Sequence, residues 1–149
     1  YMYSALGKRN SSKRMKDGMD VALFSLDTDS FMLSYAGARI PLYIIRNGEL
    51  IELEGDKISI GESISISPFG NKAIQLKKND MLYTFSDGYA DQFGGPKQKK
   101  FTKKRFKELL TSIAGKDTEE QKIILKDVVT EWMKEQDQTD DMLVIGVRI

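Results

Sequence analysis

Short apolar runs separated by turn residues fill the first two-thirds of the chain, and a helical rhythm fills most of the rest. Val21–Leu26 and residues 31–35 are two such runs, with Asp27-Thr28-Asp29-Ser30 supplying a hairpin turn between them. Leu42–Arg46 and Glu49–Leu53 flank Asn47-Gly48, the strongest hairpin signal in the chain, since a tight two-residue turn needs positive φ at both positions. Residues 72–76 and 81–86 flank a polar step at 77–80 and suggest a further pair. Together these runs predict a β-meander of about six strands.

After residue 100 the spacing changes. Phe106, Leu109, Leu110 and Ile113 recur at helical intervals, with Thr102 placed to cap the start and Gly115 to stop the end. Thr118-Glu119-Glu120-Gln121 has the form of a capping box and opens a second helix, whose apolar stripe is Ile124, Leu125, Val128, Val129, Trp132 and Met133. Trp132 therefore reads as a core residue. A last strand is expected over 142–148. Strands, two helices and a returning strand argue an α+β fold: an antiparallel sheet with two C-terminal helices packed on one face before a final strand. No internal repeat or domain boundary is visible over residues 19–149. Residues 1–18 are rich in Lys, Arg and Ser without apolar periodicity and read as a basic flexible lead-in. A chain that opens on Tyr1-Met2-Tyr3 and runs at once into such a loop is expected to be part of a longer polypeptide.

Composition narrows the chemistry. Among 149 residues there is no histidine and no cysteine, which removes cysteine nucleophiles, Ser-His-Asp triads, histidine metal sites and zinc ribbons within these residues. The lack of disulfides suits a reducing compartment, and a cytoplasmic location is expected. The 23 basic and 22 acidic residues nearly cancel, so no overall charge draws the chain to nucleic acid or membrane. No apolar run reaches the roughly 18–20 residues of a membrane span, and no signal peptide leads the chain.

The chemistry that remains centres on carboxylates at strand ends. The first such motif is Thr84-Phe85-Ser86-Asp87-Gly88, followed by Asp91; the second is Thr139-Asp140-Asp141, running into Met142-Leu143-Val144. Alone, an Asp-Gly pair is usually a turn and adjacent acids are usually solvated. Jointly, one motif ends a strand and the other begins one. If those strands are neighbours, Asp87 and Asp140 face a common cleft, and Asp91 can join them from the outgoing loop. Hard cations such as Mg²⁺ and Mn²⁺ favour such oxygen ligands. The serines Ser63, Ser65 and Ser67 alternate with Ile64 and Ile66, the pattern of a half-exposed strand rather than of nucleophiles. Residues 97–107 carry Lys97, Lys99, Lys100, Lys103, Lys104, Arg105 and Lys107 with no acid among them. They read first as a solvated loop and helix face, and otherwise as a surface that attracts a phosphorylated protein or nucleic acid.

The ordered motifs resemble the metal-dependent protein phosphatase (PPM) superfamily, in particular the C-terminal portion of its SpoIIE-like bacterial branch. The resemblance rests on Phe85-Ser86-Asp87-Gly88 and on Asp140-Asp141-Met142-Leu143. It is joined by Ala36-Gly37 with Pro41-Leu42, by Arg46-Asn47-Gly48-Glu49, by Asp91-Gln92-Phe93-Gly94-Gly95 and by the two helices before the last motif. It runs from about Asp17 to Ile149.

The resemblance implies Asp87 and Asp140 as ligands in a two-metal Mn²⁺ or Mg²⁺ centre, with Asp91 at the position that helps some relatives hold a further, loosely bound ion. The implied activity is hydrolysis of phosphoserine and phosphothreonine in a bacterial signalling protein, such as an antagonist of an anti-sigma factor. Nucleic acid and membrane are not implied as partners. The chain departs from the pattern in three ways: no upstream Asp-x-x-Gly-His-Gly-like element, no histidine at all, and Leu143 where Thr is usual. The expectation is thus a partial phosphatase domain, inactive alone, with a non-catalytic interaction module as the alternative. Strand edges left open by the missing part are expected to make the chain self-associate through 19–26 and its neighbours.

Overall fold

The computed structural model describes residues 18–61 and 68–149, so the basic lead-in and the Ser63–Ser67 alternation lie outside the described residues. In chain order the strands are β1 (Val21–Leu26), β2 (Met32–Ala38), β3 (Leu42–Arg46), β4 (Glu49–Leu53), β5 (Lys72–Gln75) and β6 (Met81–Phe85). There follow a short helix α1 (Gly88–Asp91), a ribbon of β7 (Phe93–Gly94) and β8 (Lys99–Lys100), helices α2 (Lys103–Ile113) and α3 (Thr118–Met133), and β9 (Val144–Arg148). The fold is α+β with antiparallel sheets. The chain divides into two compact units, residues 18–42 with 52–76, and Tyr43–Ile51 with Lys77–Ile149.

In the first unit β1, β2 and β5 form an antiparallel sheet in that order, with Val21 opposite Ala38 and Met32 opposite Gln75. The β1–β2 turn follows the sequence expectation: the Asp27 carboxylate accepts the N–H groups of Asp29 (2.9 Å) and Ser30 (3.1 Å). These bonds hold its pKa below the usual carboxylate value. Tyr35 is buried and donates its hydroxyl to the Ile40 carbonyl; burial pushes its pKa up to about 12. β1 is an edge strand, and Leu23 on it is 70% exposed.

The second unit is built on the sheet β4-β3-β6-β9. Asn47 (φ 51°) and Gly48 (φ 80°) both take the left-handed conformation of the predicted hairpin. On one face of this sheet Tyr43, Ile45, Met81, Tyr83 and Phe85 are buried with Phe101, Phe106 and Leu110, and Leu125, Val128, Val129 and Trp132 of α3 pack against that cluster. A chain of aromatic rings runs through it: Tyr43–Phe85 tilted at 4.7 Å, Phe85–Phe106 edge to face at 5.0 Å, Phe106–Tyr89 at 4.7 Å, and Tyr89–Phe101 and Phe101–Trp132 edge to face at 5.3 Å and 5.4 Å. Only the Phe106–Tyr89 pair is stacked. Each such contact adds about 0.5–1.5 kcal/mol to its area burial.

Thr102 caps α2 as expected, accepting the Arg105 N–H. α3 is capped by Asp117 rather than Thr118: its carboxylate takes the Glu119 N–H at 2.9 Å. Gln121 of the expected capping box is instead buried, accepting the Tyr83 hydroxyl at 2.7 Å and donating to the Lys116 carbonyl at 2.9 Å.

One pairing differs from the sequence expectation. Residues 72–76 and 81–86 do not form a hairpin; β5 lies beside β2, whereas β6 lies between β3 and β9. The cause is polar. The Asp80 carboxylate, 1% exposed as a residue, takes the Lys77 N–H at 2.8 Å and two Arg46 nitrogens, Nε at 2.9 Å and a terminal one at 2.6 Å. That anchors the start of β6 to the end of β3. The same turn meets the chain end, since Asn79 N–H bonds the Ile149 carbonyl (2.8 Å) and Ile149 N–H the Asp80 carbonyl (3.0 Å). Among the described residues no helix is long and apolar enough to cross a membrane.

Burial alone would raise the pKa of Asp80, but the hydrogen bonds from Arg46 and the Lys77 N–H outweigh it and hold the carboxyl below its usual value. A carboxylate depressed in the folded state stabilises above its unfolded pKa and loses that contribution as pH falls through its folded value. Asp80→Asn should therefore cost about 3 kcal/mol at neutral pH, because Arg46 is left without its counter-charge. In urea unfolding the gap between variant and wild type should shrink as pH falls below about 4. A gap independent of pH would contradict this.

Candidate functional site

The ladder between β6 and β9 runs from Met81 opposite Arg148 to Phe85 opposite Val144. Beyond it the two chains would part, but Ser86 carries the pairing further. Its N–H donates to the Leu143 carbonyl (3.0 Å), while its hydroxyl accepts the Leu143 N–H (2.9 Å) and donates to the Asp141 carbonyl (2.7 Å). Two residues on, the facing backbone leaves no room for a side chain. A Cβ on Gly88 would stand 2.4 Å from the Asp141 carbonyl oxygen and 3.2 Å from that of Asp140, so only glycine fits.

Asp87 sits between these two points of closure. It occupies the capping position of α1 with φ −73° and ψ −16°, yet its side chain makes no cap hydrogen bond. It is exposed and has no cationic partner among the described residues. Asp140 is also exposed; its Oδ1 accepts the N–H of Asp141 at 2.7 Å, and its carbonyl takes the Gln138 amide at 2.8 Å. The backbone thus brings the Asp87 and Asp140 motifs side by side, with both carboxylates open to solvent and free of cations. Asp91 lies one turn after Asp87, its N–H bonded to the Asp87 carbonyl (2.9 Å). Its carboxylate, however, is paired with the Lys100 ammonium at 2.8 Å, in an exposed contact.

Gln92 is a residue that sequence reasoning passed over. It is fully buried, and every polar group of its side chain and its carbonyl are used. The side-chain amide donates to the carbonyls of Phe93 (3.0 Å) and Asp137 (2.9 Å), and its oxygen accepts the Thr139 N–H (2.9 Å). Its backbone carbonyl takes the Phe101 N–H (2.8 Å) and the Trp132 indole N–H (3.1 Å). Gln92 therefore ties the segment after Asp91 to the segment before Asp140. Its signal was a polar residue inside a loop otherwise rich in Phe and Gly, at Asp91-Gln92-Phe93-Gly94-Gly95. Trp132, read as core, is half-buried, with Phe101 edge-on and the Arg105 guanidinium 4.6 Å above its ring.

Oxygen donors of this kind fit a hard divalent cation. Among the described residues no three acidic side chains gather closely enough to hold a metal ion, so Asp87 and Asp140 fit as part of a donor set rather than a whole one.

A family model described as "Stage II sporulation protein E (SpoIIE)" matches residues 4–149. The SiaA-PP2C domain of Pseudomonas aeruginosa is 30% identical, with TM-score 0.81 over 87% of this chain and 51% of that one. A Bacillus subtilis structure of the SpoIIE PP2C phosphatase domain with a fragment of its regulatory domain is 23% identical, with TM-score 0.67 over 87% and 37%. A Mycobacterium tuberculosis structure of RsbU and RsbW domains is 19% identical, with TM-score 0.63 over 87% and 35%. The chain spans about half the length of the first of these and less of the others. No curated protein matches the chain at a significant level.

The closure between the motifs makes a stability prediction. Gly88→Ala should destabilise by about 2 kcal/mol through backbone overlap, and Ser86→Ala by about 1–2 kcal/mol through loss of two hydrogen bonds. Both should speed hydrogen exchange at the Leu143 amide. Gly115→Ala, where an added Cβ meets nothing within 4 Å, is the control and should be neutral or slightly stabilising. Equal behaviour of all three in urea unfolding would contradict the closure.

Proposed function

The chain belongs to the SpoIIE family of PPM-type protein phosphatase domains, and from that premise we propose that it supplies the Asp87–Asp140 part of a Mn²⁺- or Mg²⁺-dependent site. The reaction is hydrolysis of phosphoserine or phosphothreonine in a bacterial signalling protein. The observation that carries the reading is the closure at Ser86 and Gly88, which sets two cation-free carboxylates on touching backbone segments. Bound divalent cations would supply an activated water near neutral pH and neutralise charge on the phosphoryl group.

The chain's own residues do the positioning. Asp87 and Asp140 would hold the ions. Ser86 fixes their separation from the backbone side, and Gln92 pins the Asp137–Thr139 approach so that Asp140 does not swing away. Asp91 would serve as a weaker, exchangeable ligand, because an ion there must displace the Lys100 ammonium. A protein substrate of the switch type is supported by the neighbour that joins an RsbU domain to an RsbW domain. Self-association is part of the same reading, supported by two edge strands with exposed apolar side chains, Leu23 on β1 and Ile145 on β9. Sedimentation equilibrium that stays monomeric at high concentration would remove it.

The second reading, a non-catalytic interaction module, draws on the absence of histidine and of a three-carboxylate cluster among the described residues. Kinetics separate the two. This chain alone should hydrolyse p-nitrophenyl phosphate near background even with Mn²⁺, since two carboxylates do not complete the site. In a polypeptide that carries the whole domain, Mn²⁺-dependent turnover of a phosphoserine peptide should fall about 10³-fold or more in Asp87→Asn and in Asp140→Asn, with the fold intact. Whole-domain protein without any metal-dependent turnover would favour the non-catalytic module.

A further inference from the structure

Charge is distributed very unevenly along this chain. Residues 92–107 hold seven basic residues and no acid, in a protein whose formal net charge is +1, so the rest of the chain is net acidic. The structure gathers this charge on the β7–β8 ribbon and the first turn of α2, joined through Phe101 and Thr102. Three of the seven are committed. Lys100 pairs with Asp91, Arg105 lies over Trp132, and Lys107 stands 5.3 Å from the centre of the Tyr43 ring. The other four, Lys97, Lys99, Lys103 and Lys104, are exposed and have no partner among the described residues.

Stability does not explain this placement. The start of a helix favours acidic side chains, and α3 obeys, with Asp117, Glu119 and Glu120 at its opening. α2 breaks the rule: its first turn has no acid and carries Lys103, Lys104 and Arg105. Lys97 and Lys99 lie outside any helix, so the excess is a property of the surface and not of one helix end. Like charges gathered without counter-charges repel, and an acidic partner relieves that repulsion. Of the segment's three aromatic side chains, Phe101 and Phe106 are buried and Phe93 alone is exposed, and the Arg105 guanidinium stands over the nearby Trp132 ring, so successive bases meet no row of aromatic faces. The patch also continues the chain that leaves Asp87 and Asp91, with Lys100 touching Asp91 itself.

We propose that the β7–β8 ribbon and the first turn of α2 form a docking surface for acidic residues flanking the phosphorylated side chain of a protein substrate. Lys97, Lys99, Lys103 and Lys104 make the contact and determine specificity without touching the reacting atoms. This rests on the phosphatase reading above, and it names the substrate class: phosphoserine or phosphothreonine within an acidic segment. The salt dependence is that of exposed pairs, strong at low ionic strength and weak at high.

The test is fluorescence anisotropy on the chain with EDTA present, so that metal binding plays no part. The probes are a fluorescein-labelled phosphoserine peptide flanked by Asp and Glu, the same peptide with Gly and Ser flanks, and oligothymidylate of matching charge. The acidic phosphopeptide should bind tightest. Binding should weaken about tenfold in K99E/K103E/K104E and persist in K99R/K103R/K104R, as expected when close interfacial charges are reversed or kept. Circular dichroism of the charge-reversed variant should match wild type, since acids at the start of α2 favour the helix. Equal affinity of the two peptides, or of wild type and the charge-reversed variant, would overturn the proposal. So would tighter binding of oligothymidylate than of the acidic phosphopeptide, which would make this a nucleic-acid surface. Loss of turnover in the whole domain leaves these results standing; failed docking beside intact turnover removes this surface alone.

Discussion

A single serine hydroxyl closes the long excursion on which the candidate site depends. Ser86 Oγ holds the Asp141 carbonyl and the Leu143 N–H at once, where the β6–β9 ladder has run out of paired residues. The chain leaves this point at Asp87, passes through α1, the ribbon, α2 and α3, and must return to the same point at Asp140. Closing a loop of that length is entropically unfavourable, and the cost is met by contacts spread along the excursion. Tyr89 donates its hydroxyl to the Leu125 carbonyl at 2.8 Å, which ties α1 to the middle of α3. Gln92 reaches Trp132, Asp137 and Thr139 in succession. The return path is thus tied at Leu125, Trp132, Asp137 and Thr139.

The aromatic packing beneath anchors the start of that path. Phe85, the last residue of β6, touches both Tyr43 and Phe106, so the strand that ends at Ser86 is held by the sheet and by α2 together. The end of α2 is satisfied from two sides, by Gln121 donating to the Lys116 carbonyl and by Arg148 donating to the carbonyls of Ala114 (2.7 Å) and Lys116 (2.6 Å). Carbonyls at a helix end otherwise lack partners. The last segment thus contributes twice: Asp141 and Leu143, just before β9, are held by Ser86 beside Asp140, and Arg148, the last residue of β9, serves the carbonyls just past α2. The pKa of Tyr83, which burial pushes up to about 12, keeps its hydroxyl a donor to Gln121 through the physiological range.

Much of this was legible in the sequence, and what was not has a common cause. β1, β3 and β4 have the bounds their apolar runs predicted, and Asn47-Gly48 and Thr102 do what their chemistry foretold. α1 has four residues and each ribbon strand two, too few for any periodicity to register. The separation of β5 from β6 turns on Asp80 meeting Arg46, 34 positions away, and nothing local marks such a pair. Buried Gln92 and Gln121 are invisible to a hydropathy pattern for the same reason. The two carboxylate motifs could be singled out because each is fused to an apolar strand. That Asp91 would be met by Lys100 could not, since the contact depends on the fold-back of the ribbon.

The central proposal is that Asp87 and Asp140 serve one metal site because Ser86 and Gly88 hold their backbones together. Paramagnetic broadening of ¹H–¹⁵N spectra by substoichiometric Mn²⁺ tests it most directly on this chain. The account predicts that the amides of Asp87, Gly88, Asp140 and Asp141 broaden together and recover together in Asp87→Asn. Broadening confined to one motif, or centred on the acidic start of α3 at Glu119 and Glu120, would contradict it.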